Sequence, residues 1–355
     1  MHPVMIHPSS YDTVHLAVEK AFDLFPIDLR DKKVMIKPNV LRASEATEGI
    51  VTHPAVLDAV VAKAASLKPS AIVVGDNPGL FSYGANEAAF EQAGLMAAAQ
   101  GYYRNIGLDV VTVPFNPEFL PHVGVSRDIL EADVVISLPK FKTHGLTVMT
   151  GAIKNSYGLL PGAQKARLHK IAGNPQRFHD LIVDVFRLRV PDLFILDAVV
   201  GMEGNGPASP DLREIGLILA ADNAVALDAV VATMMGLDPG RLRFLNKASA
   251  AGLGSWQMTD IHIEGRLEVI ADFKLPPLGG EAIQDNAAVQ EALQSKIVLV
   301  PTPDPARCTG CGACVEQCPA EALSMPGEIP VADMDRCVTC FCCQEICPEK
   351  AMVLQ

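Results

Sequence analysis

Residues 134–145 read VVISLPKFKTHG, and this stretch decides the fold. The five residues 134–138 carry no charge and do not alternate polar with apolar. They therefore read as a strand covered on both faces. Pro139 ends it, because proline brings no N–H to a ladder. Similar runs lie along the chain: VMIK at 34–37 before Pro38-Asn39, AIVV at 71–74 before GDNPG, VVTV at 110–113, LFIL at 193–196 before Asp197, and 215–220. Helical spacing separates them over 54–67, where Pro54 suits a first turn, and over 86–100, 178–188 and 224–235. Buried strands alternating with helices predict an α/β fold, with a mainly parallel sheet carrying helices on both faces. A short pair of strands is expected at 261–264 and 267–270. Residues 271–307 then lose periodicity and hold five prolines, interrupted by a helix at 286–294 and a strand at 297–300. The expected units are an α/β domain at 1–270, a connector at 271–304 and a small domain at 305–355.

The 355 residues contain nine cysteines, all between Cys308 and Cys347. The N-terminus lacks the basic start and apolar run of a signal peptide. No apolar stretch is long enough to span a bilayer. The expected location is cytoplasmic. Clustered thiols in a reducing compartment point to metal or redox chemistry rather than to disulfides. The net charge of −12, from 29 Lys+Arg against 41 Asp+Glu, argues against nucleic acid as a partner.

Residues 308–325 repeat at 337–354 with an offset of 29. Each copy has the form C-x2-C-x2-C-x3-C-P. Three thiolates at two-residue gaps wrap one face of a cubane, and the fourth is carried to the other cluster. The predicted ligand sets are Cys308, Cys311, Cys314 and Cys347 for one [4Fe–4S] cluster, and Cys337, Cys340, Cys343 and Cys318 for the other. Paired zinc sites use C-x2-C pairs with longer gaps. The tail matches bacterial two-cluster ferredoxins, small α+β domains. Cys342 breaks the repeat, standing where the first copy has Ala313. It reads as a small buried hydrophobe, or as an alternative ligand or redox thiol.

Between Asp133 and Asp180 no acidic residue occurs, while Lys140, Lys142, Lys154, Lys165, Arg167, Lys170 and Arg177 accumulate with three histidines. In open α/β sheets, ligands bind beyond the carboxyl ends of strands. A Lys-, His- and Gly-rich loop there suits a carboxylate, phosphate or other small oxyanion. It also suits docking of the tail, which carries seven acidic and three basic side chains, and the two uses are compatible. Lys37, Asn39, Asp76, Asn77, Lys140, Asn155 and Glu203 are candidate binding residues. Lys142, Lys154 and His144 are candidate catalytic ones, with His144 or a lysine delivering a proton. Taken singly, the strand-end motifs are ordinary turn chemistry. There is no P-loop and no strand-linked G-x-G-x-x-G.

KPN, GDNPG, LPKFKTHGLTVMTGAIKNSYGLLPG and DAVVGMEGNGP together resemble the family called domain of unknown function 362. The likeness spans roughly residues 30–240, with a two-cluster tail as in many members. It implies an iron–sulfur protein of redox metabolism. The leading expectation is an oxidoreductase relaying electrons through two clusters to or from a small anion, with a redox partner protein as donor or acceptor. A non-enzymatic electron-transfer subunit and a cluster scaffold or delivery protein remain the alternatives.

Overall fold

The computed structural model describes residues 1–79, 84–276 and 300–354. The large unit has strands β1 (His2–Pro8), β2 (Lys33–Pro38), β3 (Ala71–Val74), β4 (Val110–Pro114), β5 (His122–Ser126), β6 (Val134–Leu138), β7 (Lys140–His144), β8 (Val148–Met149), β9 (Leu193–Met202), β10 (Leu212–Ala221) and β11 (Ile261–Glu264). The main sheet runs β11-β1-β10-β9-β6-β2-β3, with β7 added to β9 and β8 to β7. Along that path only β10 is antiparallel to its neighbours, so the sheet is mainly parallel. The uncharged run 134–138 lies in its middle, between β2 and β9.

Two apolar layers show why these strands do not alternate. Val34, Ile36, Val134 and Ile136 pack on one face. Met35 and Val135 pack on the other. Period two is present, but both faces are dry, so both sets are apolar. The first face is covered by helices α1 (Val14–Leu24) and α2 (Pro54–Ser66), with α3 (Ala85–Gln92) and α4 (Leu95–Ala98). The second is covered by α8 (Pro175–Phe186), α9 (Ala224–Met234) and α10 (Arg243–Ala250). The short α5 (Arg127–Leu130) and α6 (Ala152–Asn155), and α7 (Gly162–Ala172), pack into the same core as the second group. Full burial of such a side chain contributes about 1.5–3 kcal/mol.

Several expectations need correction. The helix expected at 86–100 is two, broken where Gly94 takes φ +73°. The run 110–113 leaves the main sheet and forms a two-stranded ribbon with β5, as its exposed alternate residues allow. Residues 267–270 are not a strand, because β11 pairs with β1 instead. β1 and α1 lie ahead of the first expected element. The helix expected at 286–294, and the strand at 297–300 except for Val300, lie outside the described residues.

The small unit is held by β12 (Pro301–Pro303) paired with β15 (Met352–Leu354) and by β13 (Leu323–Ser324) paired with β14 (Val331–Ala332). Its two short helices, α11 (Ala313–Glu316) and α12 (Cys342–Ile346), occupy equivalent places in the repeat. Gly312 precedes α11 at φ +76° and Phe341 precedes α12 at φ +62°. A bulky residue in that region is strained. The Phe341 ring offsets the strain by burying in the large unit's core, 2% exposed. Gly145 leaves room for it, since a Cβ there would stand 3.0 Å from the ring.

Candidate functional site

The loops after β2, β3 and β6 leave the same edge of the sheet, as parallel strands require. Lys37, near the end of β2, is 1% exposed and pairs with Asp76 after β3 at 2.7 Å. The remaining capacity of Asp76 goes to the backbone N–H groups of Val40 (2.8 Å) and Asn77 (2.9 Å). Asn155 accepts from Lys37 Nζ at 3.3 Å and donates to Ser137 Oγ at 2.9 Å. Asn77 donates to Ser126 Oγ and to the Gly158 carbonyl. Gly158 has to be glycine, because a Cβ there would lie 2.0 Å from Asp76 Oδ1. Burial lowers the Lys37 pKa, and Asp76 opposes the shift. Four expected binding residues, Lys37, Asp76, Asn77 and Asn155, thus form one network. Asn39 lies beside it, its side chain donating to the Ile50 carbonyl at 3.2 Å.

Next to this network is a cleft of about 70 Å³. Lys142, Lys154 and Lys165 reach it from the large unit, and Gln317, Cys342 and Glu345 from the small one. Lys142 comes from β7, so the segment expected to be a loop is itself a strand. Its Nζ donates to the Ile50 carbonyl at 2.7 Å. Lys154 is on α6, and Asp228 of α9 holds that turn by accepting from Ala152 N–H (2.6 Å) and Ile153 N–H (3.0 Å). Gly151 lets the carboxylate in, since a Cβ would meet Asp228 Oδ1 at 2.2 Å. Burial pushes the Asp228 pKa up to about 7, opposed by those two N–H groups. Lys165 of α7 donates to the Asn77 carbonyl.

Burial lowers all three lysines. Lys142 falls well below its ordinary value, with Lys154 adding repulsion. Glu345 and Cys342 oppose the shift at Lys154. Lys165 settles at about 8, with Asp76 opposing burial.

His144 is fully buried behind the cleft. Its Nδ1 accepts from the Leu146 N–H at 3.1 Å, so the ring proton is on Nε2. That atom approaches Glu345 Oε1 at 2.9 Å, close but poorly aligned for a hydrogen bond. Burial pushes the His144 pKa down to about 3. Burial alone would raise Glu345, but His144, Lys154 and His169 together hold it below the carboxylate range. His144 fastens α12 to the large unit and is not among the residues lining the cleft. Gln344 adds a bond to the Asn205 carbonyl at 2.8 Å. His169, on the cleft wall, contacts the Cys340 carbonyl through Nδ1 at 3.2 Å.

Two expected binding residues stand elsewhere. Lys140 is paired with Asp197 at 2.6 Å, beside Tyr11. Glu203 is clamped by Arg213 and by the Lys274 N–H. Both carry their charge into loop-fixing pairs. In the tail, Cys308, Cys311, Cys314 and Cys347 line one cavity. Cys318 packs against Cys337 in one small cluster and shares another with Cys343. Backbone N–H groups of Ala322, Thr339 and Ala351 point at the sulfurs of Cys318, Cys337 and Cys347 at 3.3–3.4 Å. That donor set suits thiolates holding a cluster.

Residues 34–233 match the model of the domain of unknown function DUF362. The chain belongs to the DUF362 family. Residues 301–348 match a 4Fe–4S dicluster domain. The thylakoid-associated protein sll1697 of Synechocystis is 32% identical over 256 residues, covering 69% of this chain and 76% of that protein. Among solved structures, a Thermotoga maritima protein has a TM-score of 0.41 at 11% identity, over 65% of this chain and 60% of that one. The lactate racemase apoprotein of Thermoanaerobacterium thermosaccharolyticum has 0.43 at 14%, over 64% and 56%. In this DUF362 chain no helix among the described residues is long and apolar enough to cross a membrane. The sequence places Lys165 and His169 only within the acid-free stretch, the latter as one of its three histidines. Their spacing of four, one helical turn, was the signal that both reach one place. Nothing local could have paired Glu345 with His144, 201 positions earlier.

Proposed function

We propose that this protein relays electrons through two [4Fe–4S] clusters to or from a small anion held in the cleft. One cluster is held by Cys308, Cys311, Cys314 and Cys347, the other by Cys337, Cys340, Cys343 and Cys318. The clusters supply one-electron transfer. The observation that carries the reading is the shared wall: Cys342 and Glu345, which flank the cluster ligand Cys343 in sequence, line the same cleft as Lys142, Lys154 and Lys165. The three lysines outnumber the carboxylates there, and an anion that enters would favour their charged form. Lys165, with its pKa near 8, is tuned to give a proton near neutral pH. Cys311 is exposed at the other set, which gives a redox partner protein a place to exchange electrons.

The test is anaerobic. Reconstituted protein is reduced with a low-potential reductant, and bleaching of the cluster absorbance is followed. Small acids added in excess should speed reoxidation, and Lys142→Met should remove the acceleration. Acids that bind yet leave the reoxidation rate unchanged would sink the reading and favour an electron-transfer subunit that docks another enzyme.

A further inference from the structure

We infer that the cleft takes a small organic acid, with a carboxylate head and a short apolar body, rather than an inorganic oxyanion. The inference rests on the reading that the cleft binds an anion, and it narrows the class. Size sets the first limit. A cavity of about 70 Å³ holds roughly five water-sized positions, which suits a small ligand.

The walls set the second limit. Besides the lysines, the cleft is lined by Val40, Leu41, Pro207 and Ile346. A tetrahedral oxyanion would use the ammonium groups and leave these apolar surfaces against water. A short-chain acid uses both kinds of wall, the usual pattern of small-ligand sites. The lysines meet the charge. Lys37 and Asp76 neutralise each other, which leaves Lys142, Lys154 and Lys165 facing one further carboxylate among the described residues, Glu345. Among the described residues Lys142 Nζ donates to the Ile50 carbonyl, which cannot neutralise a charge.

A third observation points to a further polar group on the ligand. Thr150 lines the cleft, is 4% exposed, and its hydroxyl has no hydrogen-bond partner among the described residues. A buried hydroxyl left unpaired is costly. An oxo or hydroxyl oxygen beside the carboxylate would satisfy it.

The experiment is calorimetric titration of the anaerobic, cluster-loaded protein with 2-oxobutyrate, butyrate, inorganic phosphate and sulfate. Both organic acids should bind, 2-oxobutyrate more tightly, and phosphate and sulfate at least ten-fold more weakly. Lys154→Gln should weaken 2-oxobutyrate at least ten-fold, and Thr150→Val should erase its advantage over butyrate. Phosphate or sulfate binding as well as the organic acids would overturn the inference, and so would no binding of either acid. The comparison among ligands on the unaltered protein decides the matter even if a variant fails to fold. Binding of organic acids without electron transfer would keep this inference and remove the proposed function. Electron transfer to an inorganic oxyanion alone would do the reverse.

Discussion

At the scale of single residues, charges that look alike in the sequence have separate uses. Lys140 and Lys142 are two apart, yet one is neutralised by Asp197 and the other opens on the cleft. The Lys37–Asp76 pair is buried, so its value depends on being complete. Gly158→Ala should force the pair apart and cost about 3–5 kcal/mol, read as a lower midpoint in urea unfolding. An unchanged midpoint would mean the loop yields without loss. His179 gives a pH test. It is buried, accepts from the Phe244 N–H and contacts the Leu146 carbonyl, and burial pushes its pKa down from 6.5 to about 4. A depressed folded pKa means the neutral form is favoured on folding. That stabilisation is complete above pH 6.5 and is lost as pH falls through 4. It amounts to about 3 kcal/mol. The stability advantage of the parent over His179→Asn should therefore shrink as pH falls from 7 to 4.5. An advantage independent of pH would show that His179 is not buried as the neutral base.

At the scale of elements, the short turn α6 illustrates how a local weakness is used. Four residues make no stable helix alone, and a carboxylate from the core helix α9 fixes this one by two backbone hydrogen bonds. Asp228→Ala should cost about 1–3 kcal/mol and also weaken 2-oxobutyrate binding, because Lys154 and Asn155 ride on that turn. Asp228→Asn, which keeps one acceptor, should lose less of both. Equal effects of the two substitutions on binding would show that the cap does not place Lys154. Strand β7 is the other lesson. A segment read as a loop became a strand because β9 is ten residues long and offers backbone partners beyond the end of β6. Its side chains Lys140 and Lys142 gave no hint of that, since lysine is not a favoured strand residue.

At the scale of the whole molecule, the cleft exists because the small unit seats on the large one. Phe341, Gln344 and Glu345 make that contact through an apolar anchor, a hydrogen bond and a buried charge. Phe341→Ala should cost about 3–5 kcal/mol and raise hydrogen exchange in α12, while the cluster absorbance persists. Loss of the clusters instead would show that Phe341 supports cluster assembly rather than docking. The sequence by itself determined the α/β class, because uncharged runs between helical spacings are a local record of two-sided burial. It also determined the cysteine framework, because cubane ligation imposes fixed gaps. It marked the acid-free stretch as a positive site by composition alone. Which lysines pair with a carboxylate and which face the cleft is settled by the tertiary structure alone. Neutralisation depends on partners 57 positions away for Lys140 and 39 for Lys37, and no local pattern encodes those. It also decided that His144 answers to Glu345. That contact forms only when two separately folded layers close, and closure is a matter of shape and buried area rather than of neighbours along the chain.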